Sequence, residues 1–139
     1  MGSSQSIQKI NFEDIQKVSK NPDTYLLINT LSELEQDCLI FNTIHANKEE
    51  QLINFHMNNN KQIKIIIYGR NSNDENIYKK YNQLLKLGFM NVYVYLGGLF
   101  EWLMLQDIYG YDEFPTTIKQ LDFLKYKPPP RLNISLIGN

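Results

Sequence analysis

The chain has 139 residues, a formal net charge of −1, 42% hydrophobic residues and 21% charged residues. That length suits one domain with a single core. The charge balance excludes the basic footprint of a nucleic-acid-binding protein, and no apolar run approaches the roughly 20 residues of a membrane span. A lone cysteine, Cys38, forbids an internal disulfide and, with no secretory signal in view, points to a reducing, cytoplasmic setting.

The first residues, Met1-Gly2-Ser3-Ser4-Gln5-Ser6, fit the N-myristoylation pattern, with Gly2 as acceptor and Ser6 at the required spacing. The other reading is a polar, frayed N-terminus or the scar of an expression tag. One acyl chain would anchor only weakly, and Lys9, Lys17 and Lys20 make a thin second signal. Residues 7–10 read as a short edge strand. Asn11 and Asp14 form a capping-box pattern before a helix that carries Phe12, Ile15 and Val18 on one face. Asn21-Pro22-Asp23 turns the chain into an apolar strand, Tyr25-Leu26-Leu27-Ile28, ended by Asn29 and Thr30.

Ser32 and Glu35 suggest a second capping box. Residues 38–41, continued by Ile44, read as a short inner strand. Asn47 is the expected cap of the next helix, with Leu52, Ile53 and Met57 facing inward. A β-branched run, Ile63 with Ile65-Ile66-Ile67, then ends in Tyr68-Gly69-Arg70-Asn71-Ser72-Asn73-Asp74. A strand that delivers a short polar loop to a helix N-terminus is a common place for anion chemistry. The following helix, over 76–87, repeats apolar residues at 3–4 spacing and stops at Gly88. Residues 91–95 form another strand. Gly97-Gly98 opens a helix over 99–109 that carries Trp102. A short helix is expected over 118–124, and Pro128-Pro129-Pro130 reads as an extended tail. Alternating strands and helices give an α/β class with a mostly parallel sheet.

Residues 87–102, Leu-Gly-Phe-Met-Asn-Val-Tyr-Val-Tyr-Leu-Gly-Gly-Leu-Phe-Glu-Trp, resemble the C-terminal signature of rhodanese-like domains, roughly G-F-x-N-V-x-x-L-x-G-G-x-x-x-W. The resemblance covers residues 7–109. It divides the chain into residues 1–6 as a flexible N-terminus, 7–109 as the domain, and 110–139 as an extension packing on it or trailing from it. It implies a small five-stranded, mostly parallel sheet with helices on both faces. In active members the loop after the central strand begins with a nucleophilic cysteine, roughly C-R-x-G-x-R, and backbone N–H groups cradle a persulfide or oxyanion. In this chain the cysteine position is Gly69. Arg70 is kept, Ser72 stands where glycine is common, and Asp74 stands where a second arginine is usual. Asn29 replaces the Asp of the family's Asp-Val-Arg, and Leu31 its Arg.

These departures are chemical. Without a side chain at Gly69 no thiolate or covalent intermediate can form there, and Asp74 reverses the charge where an anion would bind. Asp74 or Asn73 can cap the following helix, with Glu75 complementing its dipole. The degenerate loop, residues Gly69, Arg70, Asn71, Ser72, Asn73 and Asp74, is therefore expected to be non-catalytic, and Arg70 and Asn29 are the remaining binding candidates. Cys38 reads as a buried structural thiol, the alternative being a displaced nucleophile for sulfur or redox chemistry. His45 and His56 with Cys38 match no usual zinc spacing, so no metal or cofactor is expected. Trp102 is expected to pack on the sheet. Tyr109 and Tyr111 read either as a partner surface or as corner filling. The expected function is a catalytically inactive rhodanese-like binding, scaffold or regulatory module with a protein partner, no nucleic acid, and membrane anchoring through Gly2.

Overall fold

The computed structural model describes residues 7–132; Gly2 and its acylation pattern lie outside them. Four parallel strands form one sheet in the order β1-β4-β3-β2. They are β1 (Lys9–Ile10), β2 (Tyr25–Asn29), β3 (Lys64–Tyr68) and β4 (Asn91–Tyr95), interleaved with α1 (Phe12–Ser19), α2 (Ala46–Asn59), α3 (Asn76–Lys86) and α4 (Gly98–Tyr109). The three long strands are in step: Tyr25, Lys64 and Asn91 start them side by side, and Asn29, Tyr68 and Tyr95 end them. Every loop that follows a strand is thereby brought to one edge of the sheet, where open α/β folds place their sites.

Side-chain alternation divides the core. Leu27, Ile66, Tyr68 and Tyr95 face α1 and α4, packing with Ile15, Val18, Leu99, Trp102 and Leu103. Leu26, Ile28, Ile65, Ile67, Val92 and Val94 face α2 and α3, packing with Ile53, Ile77, Tyr81 and Leu84. Helices on both faces explain why the β3 run is almost uninterrupted apolar sequence. The Asn11–Asp14 capping box forms as expected. Gly88, at φ +100°, ends α3 with Gly88 N–H donating to the Leu85 carbonyl and Phe89 N–H to the Leu84 carbonyl, the double bond pattern of a Schellman motif.

The sheet has four strands where five were expected. Residues 38–44 contribute only single bridges, Ile44 to Ile28 and Ile40 to Thr116. Asn42 adopts a left-handed φ of 67°, which breaks any extended run. The neighbouring backbone groups are also taken elsewhere: Phe41 N–H donates to the Pro115 carbonyl, Thr117 N–H to the Leu39 carbonyl, and Ile40 N–H to the Tyr68 phenol at 3.0 Å. The extension after α4 thus uses up the hydrogen bonds of the fifth strand.

Three local expectations are corrected. Ser32 and Glu35 form no capping box; Ser32 precedes and Glu35 ends a 3₁₀ turn, Glu33–Glu35, with no side-chain cap. His45, not Asn47, caps α2, its ring accepting from Asn47 N–H. Residues 118–122 are irregular and the helical turn comes later, at Phe123–Tyr126, because the Ile118 carbonyl is held by Thr116 and Cys38 instead of closing a helix.

The extension packs into the body of the fold. Phe114, Thr116 and Tyr126 are buried, the Trp102 indole donates to the Pro115 carbonyl at 3.1 Å, and Gln106 donates to the Phe114 carbonyl and to Thr116. Trp102 lies edge-on to both Phe114 and Tyr95, contacts that contribute about 0.5–1.5 kcal/mol each beyond burial. No helix among the described residues is long and apolar enough to cross a membrane.

Candidate functional site

The loop between β3 and α3 lies against the first turn of α4. Leu99 N–H donates to the Gly69 carbonyl at 2.9 Å and Phe100 N–H to the Arg70 carbonyl at 2.9 Å. A helix N-terminus leaves its first N–H groups without intrahelical partners, and here the loop itself satisfies two of them. Gly98 makes the approach feasible on two counts. Its φ is +68°, and a Cβ there would stand 2.6 Å from the Gly69 carbonyl oxygen. The double glycine read in the sequence is therefore what seats α4 on the loop.

Inside the loop, the Asp74 carboxylate is turned inward. Its Oδ2 accepts from Arg70 N–H at 3.2 Å and from the Thr30 hydroxyl at 2.9 Å, and its Oδ1 accepts from Asn76 N–H at 3.0 Å. Asn71 is buried, accepts from Asn73 N–H at 2.8 Å and donates to the Tyr126 carbonyl at 2.7 Å. The N–H groups at 70, 73 and 76, which in such a loop would face an anion, are thus taken by the chain's own side chains. A Cβ built on Gly69 would lie 2.3 Å from Asp74 Oδ2 and 2.7 Å from Thr30 Oγ1. The carboxylate occupies the volume into which a side chain at 69 would project. Ser72 is exposed at the loop tip.

Arg70 points out of the loop and is engaged there. Its guanidinium pairs with Glu35, donates to the Lys125 carbonyl and lies 5.1 Å from the centre of the Tyr126 ring. Asn29 is buried beneath the surface. Its amide donates to Gln36 at 3.1 Å and to the Ile44 carbonyl at 3.3 Å, while its oxygen accepts from Leu31 N–H and Gln36. It organises the turn after β2 and does not join Arg70. Cys38 is 1% exposed, and its thiol donates to the Ile118 carbonyl at 3.7 Å. Burial first, and then the neighbouring Asp37, push its pKa up to about 11, so the nucleophilic thiolate is scarce near neutrality. Tyr109 is exposed but its ring abuts Phe114, and the Tyr111 hydroxyl donates to the Thr116 carbonyl. Among the described residues no group of three or more His, Cys, Asp or Glu side chains is placed to hold a metal ion.

Four residues were not singled out in the sequence as parts of this site. Thr30 holds Asp74, Glu35 neutralises Arg70, and Lys125 with Tyr126 covers the outer face of the loop. Thr30 and Glu35 read as a strand end and a helix cap, and nothing in their local pattern points to residues some forty positions away. The segment that contains Tyr126 lies beyond the resemblance and had no register.

The family model for the rhodanese-like domain matches residues 14–105. No curated protein matches the chain. Among solved structures, the chain is similar to the Alr3790 protein from Anabaena sp. (TM-score 0.56, 22% identity, covering 77% of this chain and 89% of that one). It is similar to the BH2092 protein from Bacillus halodurans (TM-score 0.55, 18% identity, 74% of each chain). It is also similar to the single-domain sulfurtransferase RDL2 of Saccharomyces cerevisiae (TM-score 0.52, 19% identity, 73% of this chain and 92% of that one). At these identities the likeness is one of fold.

Proposed function

The chain belongs to the rhodanese-like family, and from that premise we propose that it works as a non-catalytic binding or regulatory module, held at a membrane by an acyl chain on Gly2. The observation that carries the first half is the position of Asp74. Its carboxylate stands 2.3 Å from where a Cβ at residue 69 would be and holds the Arg70 N–H that would otherwise face a substrate. A persulfide has no atom to form on at Gly69, and the N–H groups at 70, 73 and 76 are already engaged by the chain's own side chains. The scaffold around the loop, from β3 to α4, is retained, which supports a role for its surface in binding.

The decisive assay is thiosulfate:cyanide sulfurtransfer by the purified chain, with background turnover expected. Turnover that survives Cys38→Ala would overturn the proposal, and turnover that Cys38→Ala abolishes would equally overturn it by placing the chemistry at Cys38. The paired change Gly69→Cys with Asp74→Arg should gain persulfide formation. The membrane half rests on the Gly2–Ser6 pattern. Mass spectrometry of protein made alongside a eukaryotic N-myristoyltransferase should show the acyl adduct, and an unmodified Gly2 there removes that half alone.

A further inference from the structure

Lysines that are scattered through the sequence meet at one end of the fold. The starts of β2, β3 and β4 are in register at Tyr25, Lys64 and Asn91, and the helices that lead into these strands run back to the same edge. α1 ends there with Lys17 and Lys20, and α3 ends there with Lys86. Lys61 reaches Gly88, where a Cβ would stand 2.9 Å from its Nζ. Lys17 and Lys64 line one shallow cavity with Tyr25 and Tyr93, and Lys64 lies 5.9 Å above the Tyr25 ring. All five lysines are exposed. None pairs with a carboxylate; the ion pairs among the described residues are Arg70–Glu35 and Lys80–Glu49.

Asp14 lines the same cavity and Asp23 sits in the turn before β2, so cations outnumber carboxylates at this end. Asp112 and Glu113 lie after α4 on the α1 side, where Gln16 donates to the Glu113 carbonyl. The opposite end carries Glu33, Glu35, Glu49, Asp74, Glu75 and Glu101, at or near the starts of the helices. Helix dipoles, which favour acids in first turns and bases in last turns, account for part of this segregation: α1 begins with Glu13 and Asp14 and ends with Lys17, and α3 ends with Lys86, whereas α4 carries Asp107 and no base in its last turn. Met90, exposed beside Gln62, adds an apolar side chain to the basic end.

We propose that this lysine-bearing end is a docking face for an anionic lipid bilayer. The inference deepens the membrane half of the proposed function and rests on it. The face is complementary in charge to such a surface: five exposed lysines, none in an ion pair with a carboxylate, act as point charges without the fork geometry that reads a particular ligand. Strand β1 is also entered from this side. Gln8 accepts from Val94 N–H and donates to the Val92 carbonyl, so the residues before parallel β1 approach from the start of β4. The five Cα–Cα steps from Gly2 to Ile7 can span at most about 17 Å. A single acyl chain binds marginally and needs a second signal, and each lysine near an anionic surface strengthens binding roughly fivefold.

The test is co-sedimentation of the full chain, both unmodified and N-myristoylated, with phosphatidylcholine vesicles containing or lacking phosphatidylserine, at low and raised salt. On phosphatidylserine vesicles at low salt, the triple variant Lys61→Gln, Lys64→Gln, Lys86→Gln should partition about 100-fold more weakly, from three lysines at roughly fivefold each. A control with the same charge change at the opposite end, Lys48→Gln, Lys79→Gln, Lys125→Gln, should lose less than about fivefold. Thermal melts confirm that both variants fold. Equal losses in the two triples, or no loss in either, overturn the docking face. Because the unmodified protein is tested too, lysine-dependent binding without an acyl chain supports the face even if acylation fails. Acyl-dependent binding that ignores phosphatidylserine keeps the acylation reading and overturns the face.

Discussion

Replacing Gly69 by alanine tests whether position 69 and the Asp74 carboxylate compete for one volume. Gly69 is buried and its backbone needs no left-handed φ, so alanine carries no conformational penalty and should gain about 0.5–1 kcal/mol by restricting the unfolded chain. Against that, its Cβ would stand 2.3 Å from Asp74 Oδ2, and the carboxylate must leave. Leaving breaks its bonds to Arg70 N–H, the Thr30 hydroxyl and Asn76 N–H. At about 1 kcal/mol each for a half-buried group, the loss is about 3 kcal/mol. The single variant should therefore lose about 2 kcal/mol net. In an Asp74→Ala background those bonds are already gone, and the nearest remaining atom of the three that crowd the new methyl is the rotatable Thr30 hydroxyl, so Gly69→Ala should be close to neutral. The double-mutant cycle then gives a coupling of about 2 kcal/mol, within the range for residues in contact. Urea unfolding followed by Trp102, the only tryptophan and fully buried, reads all four proteins. Additivity within about 0.5 kcal/mol would refute the claim that the carboxylate occupies the side-chain site of residue 69.

Arg70→Ala removes the Glu35 pair, the bond to the Lys125 carbonyl and the contact with the Tyr126 ring. The guanidinium is a third exposed, so the loss should be only about 1 kcal/mol, accompanied by faster tryptic cleavage after Lys125. Phe114→Ala should cost about 3–4 kcal/mol and red-shift Trp102 emission, since the two rings meet at 5.0 Å; unchanged emission would mean that the extension does not hold Trp102. Alkaline pH should destabilise the fold. The Cys38 thiol stays protonated up to about pH 11 when folded, against an ordinary thiol value of 9.0, so from pH 9 upward the unfolded state binds fewer protons and stability falls. Below pH 9 the contribution is present in full. The buried phenols of Tyr68 and Tyr95, both pushed upward by burial, add a slope of the same sign, and Cys38→Ala should flatten the fall in urea midpoint without abolishing it.

The fold was legible where residues carry their own local constraint. The β-branched isoleucines of β3 favour a strand, the Asn11–Asp14 cap marks a helix start, and the glycines at 88 and 98 permit the positive φ that a turn there needs; each sits where its pattern places it. The loop boundaries were legible for the same reason. What could not be read was which side chains close the site. Thr30 and Glu35 reach residues 74 and 70 only because β2 lies beside β3 and the turn after it folds over the loop. The absent fifth strand had a similar cause. Residues 38–41 are apolar enough to be a strand, but Pro115 and Thr117, far along the chain, bond their backbone first. Competition between distant segments for the same N–H and C=O groups leaves no trace in either segment alone.

The family match stops at residue 105, yet Phe114 and Tyr126 are counted in the same buried cluster as Ile66, Tyr68 and Trp102. A cut made where the family pattern ends would therefore pass through the interior of the protein. It would uncover the Trp102 indole, strip the partners from the backbone at 39–41, and open the outer side of the loop that Arg70 and Asn71 now close with Lys125 and Tyr126. The smallest piece of this chain that can be expected to behave as an independent folding unit runs through Tyr126, and fragments designed to the family boundary should expose apolar surface and aggregate.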